Sequence, residues 1–240
     1  MLGNLTHRVV ADLIQPDARE PAADVSGMAA RLWDAYVPEM AAPLLEPQRR
    51  LVLERSRTEF VHAVTRLTRM MEHARLVPIA TETARRRPLL DEVELEGRLD
   101  LLVRRPDGGS AVLDLKWSRS LPRYRGPLAE GRAIQLAAYA WLLNEQDPVP
   151  AAYFLLNGGV VLATPHAVFP EESHVRGPSL EDTWVAAREA WGARLGQLAG
   201  GLALATAVDA PDDDQGAAPL VEPPCRYCAY SALCGVGGLS

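Results

Sequence analysis

The chain has 240 residues, 48% of them hydrophobic and 23% charged, with three cysteines and a formal net charge of −6. That size allows one sizeable α/β core with an appendage. No apolar stretch is long enough to span a bilayer and no secretory leader is evident, so a soluble, cytoplasmic protein is expected; the acidic balance speaks against a general attraction to nucleic acid.

In chain order, Gly3 and His7 lie in an opening stretch, Leu2 to Val10, that reads as helical with Asn4 or Thr6 as its cap. Residues 17–50 are rich in Ala and Pro and predict short helices broken at Pro21, Pro38, Pro43 and Pro47. Residues 51–76 predict one long helix with Leu53, Phe60, Val64, Leu67 and Met71 on or near one face. His62 and His73 in that helix read as surface or packing residues. Val77 to Ala84 predicts a strand ending near Glu82, followed by a basic cluster at Arg85, Arg86 and Arg87.

The most informative run follows. Gly97 to Val103 and Ala111 to Lys116 read as two apolar strands joined by the turn Pro106-Asp107-Gly108-Gly109-Ser110. Asp100 interrupts the first strand, and Asp114 and Lys116 the second. Charged side chains are expensive in strands otherwise built of Leu and Val, and a divalent cation beside a phosphate would account for them. Asp114 and Lys116 are two apart and share a face, whereas Leu115 points away but can still turn its backbone carbonyl to the same site. Asp100 can complete a carboxylate pair across the ladder. Taken alone, Asp-x-Lys also fits a cross-strand ion pair on a half-exposed hairpin.

Between Lys116 and Arg132 the basic residues are Lys116, Arg119, Arg123, Arg125 and Arg132, against one acid, Glu130. Arg119, Arg123, Arg125 and Arg132 are therefore candidate DNA-backbone contacts, although an Arg-rich loop is equally an ordinary solvated surface. Ala129 to Leu143 predicts a helix on which Gln135 and Tyr139, at i and i+4, share one face of an otherwise apolar surface. Ala151 to Leu156 and Gly159 to Ala163 predict a hairpin, His166 and His174 fall in loops, and Ser179 to Leu204 predicts a helix entered through a capping box at Ser179–Asp182. Residues 207–224 are acidic and Pro-rich and read as a linker. All three cysteines, Cys225, Cys228 and Cys234, follow in C-x2-C-x5-C spacing. An odd number at that spacing fits thiolate ligation of a metal better than disulfides.

Gly-Arg-Leu-Asp at Gly97–Asp100, Leu-Asp-Leu-Lys at Leu113–Lys116 and Gln-x-x-x-Tyr at Gln135–Tyr139 together resemble the PD-(D/E)XK nuclease superfamily. The resemblance is nearest to the RecB-like branch, which includes the AddB and CRISPR-associated RecB-like exonuclease domains. It implies a restriction-endonuclease-like α/β fold: a central mixed sheet flanked by helices, an N-terminal helical segment and a C-terminal cysteine-containing tail. It also implies that Asp100, Asp114 and Lys116 form the catalytic core, lined by Gln135 and Tyr139, with Glu82 a further candidate. Gly3-x-x-x-His7 is similar to the branch's helix that supplies an imidazole, so the implied ligands of Mg²⁺ or Mn²⁺ are His7, Asp100, Asp114 and the Leu115 carbonyl. The Pro that usually precedes the first Asp is Leu99 here.

In the same branch a C-terminal cysteine triplet joins a distant N-terminal Cys to hold a [4Fe-4S] cluster, which assigns Cys225, Cys228 and Cys234 to an iron–sulfur half-site. The fourth Cys is absent from the sequence. That absence leads to the expectation of a missing upstream segment and of little stable cluster in the chain as it stands. The expected organisation is a nuclease domain over 1–206 with its catalytic core at about 77–165, a linker over 207–224 and the cysteine tail over 225–240. The expected activity is metal-dependent hydrolysis of DNA, exonucleolytic and on single strands, in repair, recombination or CRISPR adaptation, with a helicase or adaptation protein as partner. The alternative is a non-cutting DNA-end-binding or scaffold domain, against which the intact Asp100, Asp114 and Lys116 argue. A zinc-binding module at the C-terminus would explain the cysteines but not the strands.

Overall fold

The computed structural model describes residues 1–14, 24–90 and 93–202. Contacts divide the chain into two units, Met1–Glu181 and Asp182–Ser240. In the first, three helices come before any strand: α1 (Leu2–Leu13), α2 (Val25–Met40) and α3 (Arg50–His73), with short 3₁₀ turns at Ala42–Leu45 and Pro47–Arg49. The strands are β1 (Val77–Leu90), β2 (Val93–Arg104), β3 (Ser110–Lys116), β4 (Ala151–Leu155) and β5 (Val160–Ala163). Between β3 and β4 lie α4 (Pro122–Ala129) and α5 (Ile134–Leu142). The last helix, α6 (Leu180–Ala199), enters the second unit.

The five strands form one mixed sheet in the order β1-β2-β3-β4-β5. Neighbours are antiparallel except β3 and β4, which run parallel. A parallel neighbour needs a crossover rather than a tight turn, and α4 and α5 supply it. Central strands buried on both faces are expected to be near-continuously apolar, and Ala111–Leu115 and all of β4 are buried. One sheet face, carrying Leu101, Val103, Leu113, Leu115 and Phe154, packs on the N-terminal helices. There Leu5 and Val9 of α1, Trp33 of α2 and Phe60, Val64 and Leu67 of α3 are fully or almost fully buried, and the Trp33 and Phe60 rings lie 5.2 Å apart. Helix α5 crosses β1 to β4 and buries Leu136, Ala137 and Leu142.

The sheet-and-helix fold and the long α3 agree with the sequence reading, including burial of Phe60, Val64, Leu67 and Met71 on one face. Several boundaries differ. The first helix is already under way at Leu2, so Asn4 and Thr6 do not cap it; the Thr6 hydroxyl instead donates to the Gly3 carbonyl within the helix. Pro38 does not break α2, which continues to Met40, because a proline in the last turn removes a single backbone bond. Strand β1 does not stop near Glu82 but runs to Leu90, since β2 pairs with it along its whole length. The helix expected from Ala129 starts at Ile134 instead. Gly131, at φ +65, turns the chain there, and the separate α4 occupies the preceding loop. Helix α6 ends at Ala199, five residues before Leu204, where Gly201 adopts φ +83 and the Leu202 amide bonds back to Gln197 as a C-terminal cap. Pro21, the linker over 207–224 and Cys225, Cys228 and Cys234 lie outside the described residues. No helix of the described residues is long and apolar enough to cross a membrane.

Candidate active site

The ladder between β2 and β3 runs from Arg104–Ser110 to Leu101–Leu113. Two residues further along β3, the Leu115 amide donates not to a neighbouring backbone but to Asp100 Oδ2, at 2.7 Å. The carboxylate thereby caps a central-strand N–H that would otherwise be orphaned. The Leu115 carbonyl lies 2.9 Å from His7 Nε2. His7 Nδ1 lies 3.0 Å from Glu82 Oε1 and 3.5 Å from Asp100 Oδ1. Four chain segments thus meet at one imidazole: helix α1, the middle of β1, and the ends of the β2–β3 ladder. An oxygen thus faces each ring nitrogen of His7.

Glu82 reaches this point from an irregular strand. Its backbone has φ +47, the left-handed region that a non-glycine residue seldom adopts. Thr81 pairs with Leu101 and Thr83 with Leu99, so by count Glu82 falls level with Asp100. His7, Glu82 and Asp100 offer ligand atoms that all lie within 4.8 Å of one another. Arg98 Nη1 stands 3.9 Å from Glu82 Oε2.

Asp114 is fully buried, at 0% exposure. Lys116 Nζ lies 2.8 Å from its Oδ2, yet neither carboxylate oxygen has a hydrogen bond of acceptable direction. Burial, and then the charge of Asp100, push the Asp114 carboxyl up to about 7, with Lys116 pulling the other way. Burial also raises Asp100, partly offset by His7 and by the Leu115 N–H. The imidazole of His7 and the carboxylates of Glu82 and Asp100, with the buried Asp114 close by, are the hard oxygen-and-nitrogen donor set that a divalent cation such as Mg²⁺ or Mn²⁺ takes. The residues present fit such an ion.

On α5, Gln135 Nε2 donates to the Tyr139 hydroxyl at 2.9 Å. Burial, and the nearby Asp114, Asp100 and Glu82 charges, raise Tyr139 to about 12 despite the Gln135 bond. The Gln–Tyr pair therefore stands within electrostatic reach of all three carboxylates. Tyr153, in register with Asp114 on β4, has its hydroxyl raised above the usual range by burial and by that carboxylate.

The structure brings together His7, Glu82, Asp100, Asp114, Leu115, Lys116 and Tyr139, with Gln135 bonded to the last. The arginines of the basic loop divide. Arg119 donates to both Glu59 oxygens, at 2.9 and 2.6 Å, and Arg132 pairs with Glu130. Arg123 and Arg125 are exposed on α4 and have no carboxylate partner among the described residues. His62 and His73 are exposed on α3, and the rings of His166 and His174 are engaged in their own loop. Sequence reasoning did not single out Tyr153, which stands beside Asp114, or the Tyr124 ring that packs on it. Each is a single tyrosine, the first inside an apolar strand and the second inside a loop-like stretch, and neither makes a pattern.

A profile of the PD-(D/E)XK nuclease superfamily matches residues 1–235. The chain belongs to the PD-(D/E)XK nuclease superfamily. Its members are metal-dependent nucleases, and the donor set around His7 suits that chemistry. Among solved structures, the crystal structure of SSO0001 is similar at 16% identity and a TM-score of 0.36, over 94% of this chain and 84% of that one. An overlap that loose has no bearing on function. No curated protein matches the chain.

Proposed function

We propose that this superfamily member is a Mg²⁺- or Mn²⁺-dependent deoxyribonuclease of the RecB-like branch, similar to AddB and the CRISPR-associated RecB-like exonucleases. It removes nucleotides from single-stranded DNA in repair, recombination or CRISPR adaptation, beside a helicase or adaptation partner. The observation that carries the reading is the convergence of His7, Glu82 and Asp100 within 4.8 Å, next to a buried Asp114 paired with Lys116.

His7, Glu82, Asp100, Asp114 and the Leu115 carbonyl would hold the cation. When bound, a divalent cation polarises the phosphoryl group and makes water a better nucleophile. Asp100 fixes the strand end through the Leu115 amide, so the carbonyl of the same residue stays turned to the site. Lys116 provides a preorganised positive charge where negative charge grows on the phosphate oxygens, and its ammonium can orient the attacking water. Tyr139, steadied by Gln135, donates to the DNA backbone and fixes the scissile phosphate. Residues 1–206 form the nuclease domain, 207–224 a linker, and Cys225, Cys228 and Cys234 an iron–sulfur half-site.

The test is degradation of an end-labelled single-stranded oligonucleotide with Mn²⁺ or Mg²⁺. The wild type should cut and chelator should stop it. Asp114→Ala should abolish cleavage, and Lys116→Ala should retain metal binding but lose roughly 10²- to 10³-fold in rate, on the scale of one preorganised charge. Unchanged cleavage by purified Asp114→Ala would overturn the assignment.

A further inference from the structure

We propose that α4 is the strand-recognition element of the site, with Tyr124 stacking on an unpaired base beside the cleaved bond while Arg123 and Arg125 hold the flanking phosphates. The inference rests on the nuclease reading above and adds to it the feature of the substrate that is recognised.

The path from the carboxylates to α4 is short. Asp114 on β3 and Tyr153 on β4 are register partners and so project from the same face of the sheet. The Tyr153 ring is buried, and the Tyr124 ring lies 5.0 Å from it, tilted by 58°. Tyr124 itself is half-buried. Part of its ring is committed to Tyr153, and part of the side chain remains exposed to solvent. Its hydroxyl makes no hydrogen bond among the described residues, so what the side chain presents there is its ring. An aromatic ring at that place has a flat face to offer a base.

The charges around it fit a single strand. Arg123 lies with its guanidinium 5.9 Å from the Tyr124 ring centre. Arg125 is exposed on the same helix. Glu59 and Glu130 engage Arg119 and Arg132, leaving the Arg-Tyr-Arg of α4 as the part of the loop able to neutralise phosphate. A net charge of −6 gives the chain no general attraction for DNA, so local cations must provide it. An aromatic ring between two arginines is the arrangement by which proteins grip unpaired strands, since every base has a π-face and a paired base hides it.

The test uses the whole chain with Mn²⁺. Abasic sites are moved one at a time along a single-stranded oligonucleotide, which needs no variant. One position near the cut should raise KM, because the base that stacks is missing. Tyr124→Leu keeps an apolar contact with Tyr153 but loses the flat ring. It should raise KM for single strands roughly 5- to 100-fold, the scale of one base–aromatic stack, with kcat little changed, and it should no longer distinguish intact from abasic strands. Tyr124→Phe should behave as wild type. Arg123→Ala with Arg125→Ala should flatten the salt dependence of binding instead. A wild-type KM in Tyr124→Leu, or an abasic scan without a sensitive position, overturns the inference while leaving the nuclease reading intact. If the wild type binds single strands without cutting them, the nuclease reading fails alone, and binding of intact against abasic strands then decides the stack. A wild type that neither binds nor cuts overturns both.

Discussion

Asp114 is the side chain in which burial and charge conflict most. Its carboxyl is pushed up to about 7 in the folded chain, whereas an unfolded Asp releases its proton at about 3.9. Between those values the folded state holds a proton that the unfolded state has lost, so stability without metal should fall as pH rises across that window. Asp114→Asn removes the charge and keeps the shape. In chelator at pH 8 the variant should melt higher than wild type, on the order of 1–2 kcal/mol or roughly 2–8 °C, and the gap should close near pH 4. Added Mg²⁺ should stabilise the wild type and not the variant. Equal melting temperatures at both pH values would mean that the buried carboxylate is not strained. At this scale the sequence was readable where charge stood out against an apolar strand, as at Asp100, Asp114 and Lys116. Glu82 could be placed only through the resemblance, because its position depends on a left-handed backbone at φ +47 that no side-chain pattern announces. Its carboxylate lies 3.0 Å from His7 Nδ1, so Glu82→Gln should weaken Mn²⁺ binding by calorimetry about tenfold or more, comparable to loss of a supporting ligand contact. Full-strength binding would remove Glu82 from the ligand set.

At the scale of elements, the strands on either side of Pro106–Ser110 were legible because a polar turn separates two apolar runs, and they pair as expected. The ribbon formed by the outer halves of β1 and β2 was not, since Arg85, Arg86 and Arg87 read only as a basic cluster beyond the expected end of the strand. Arg87 shows why that sequence tolerates a strand: its guanidinium lies 4.2 Å from the Trp141 ring centre and donates to the Trp141 carbonyl. Gly97 shows how closely the ribbon meets α5. A Cβ there would lie 2.6 Å from Leu142 Cδ1 and 3.2 Å from Tyr139 Cε1. The glycine of Gly-Arg-Leu-Asp thus allows the close approach that seats Tyr139 by the carboxylates. Gly97→Val should cost about 1–3 kcal/mol from overpacking and, by displacing Tyr139, lower kcat while Mn²⁺ affinity stays. A variant of wild-type stability and rate would show that α5 can shift without consequence.

At the scale of the whole molecule, the superfamily match extends to residue 235, one beyond Cys234, so the cysteine triplet falls within the matched span. The triplet lies outside the described residues, and its role rests on chemistry. Thiolates at C-x2-C-x5-C spacing suit a soft metal or an iron–sulfur cluster. A [4Fe-4S] cluster held by protein takes four ligands, and the sequence contains three cysteines in all. A cluster held by three thiolates presents its fourth iron to whatever ligand is at hand and loses it readily. The 240-residue chain purified without oxygen should therefore carry well below about four irons per chain, and reconstitution with iron and sulfide should give a brown product that bleaches on gel filtration. Ligation that ties the tail to the rest of the chain would couple metal binding to folding. Reconstituted protein should therefore show a higher melting temperature only while the colour lasts, and Cys228→Ser should abolish both. Stable occupancy near four irons, matched by equal sulfide, would show that a group other than cysteine completes the site, and the search for it would begin among the histidines and carboxylates that the nuclease centre leaves unused.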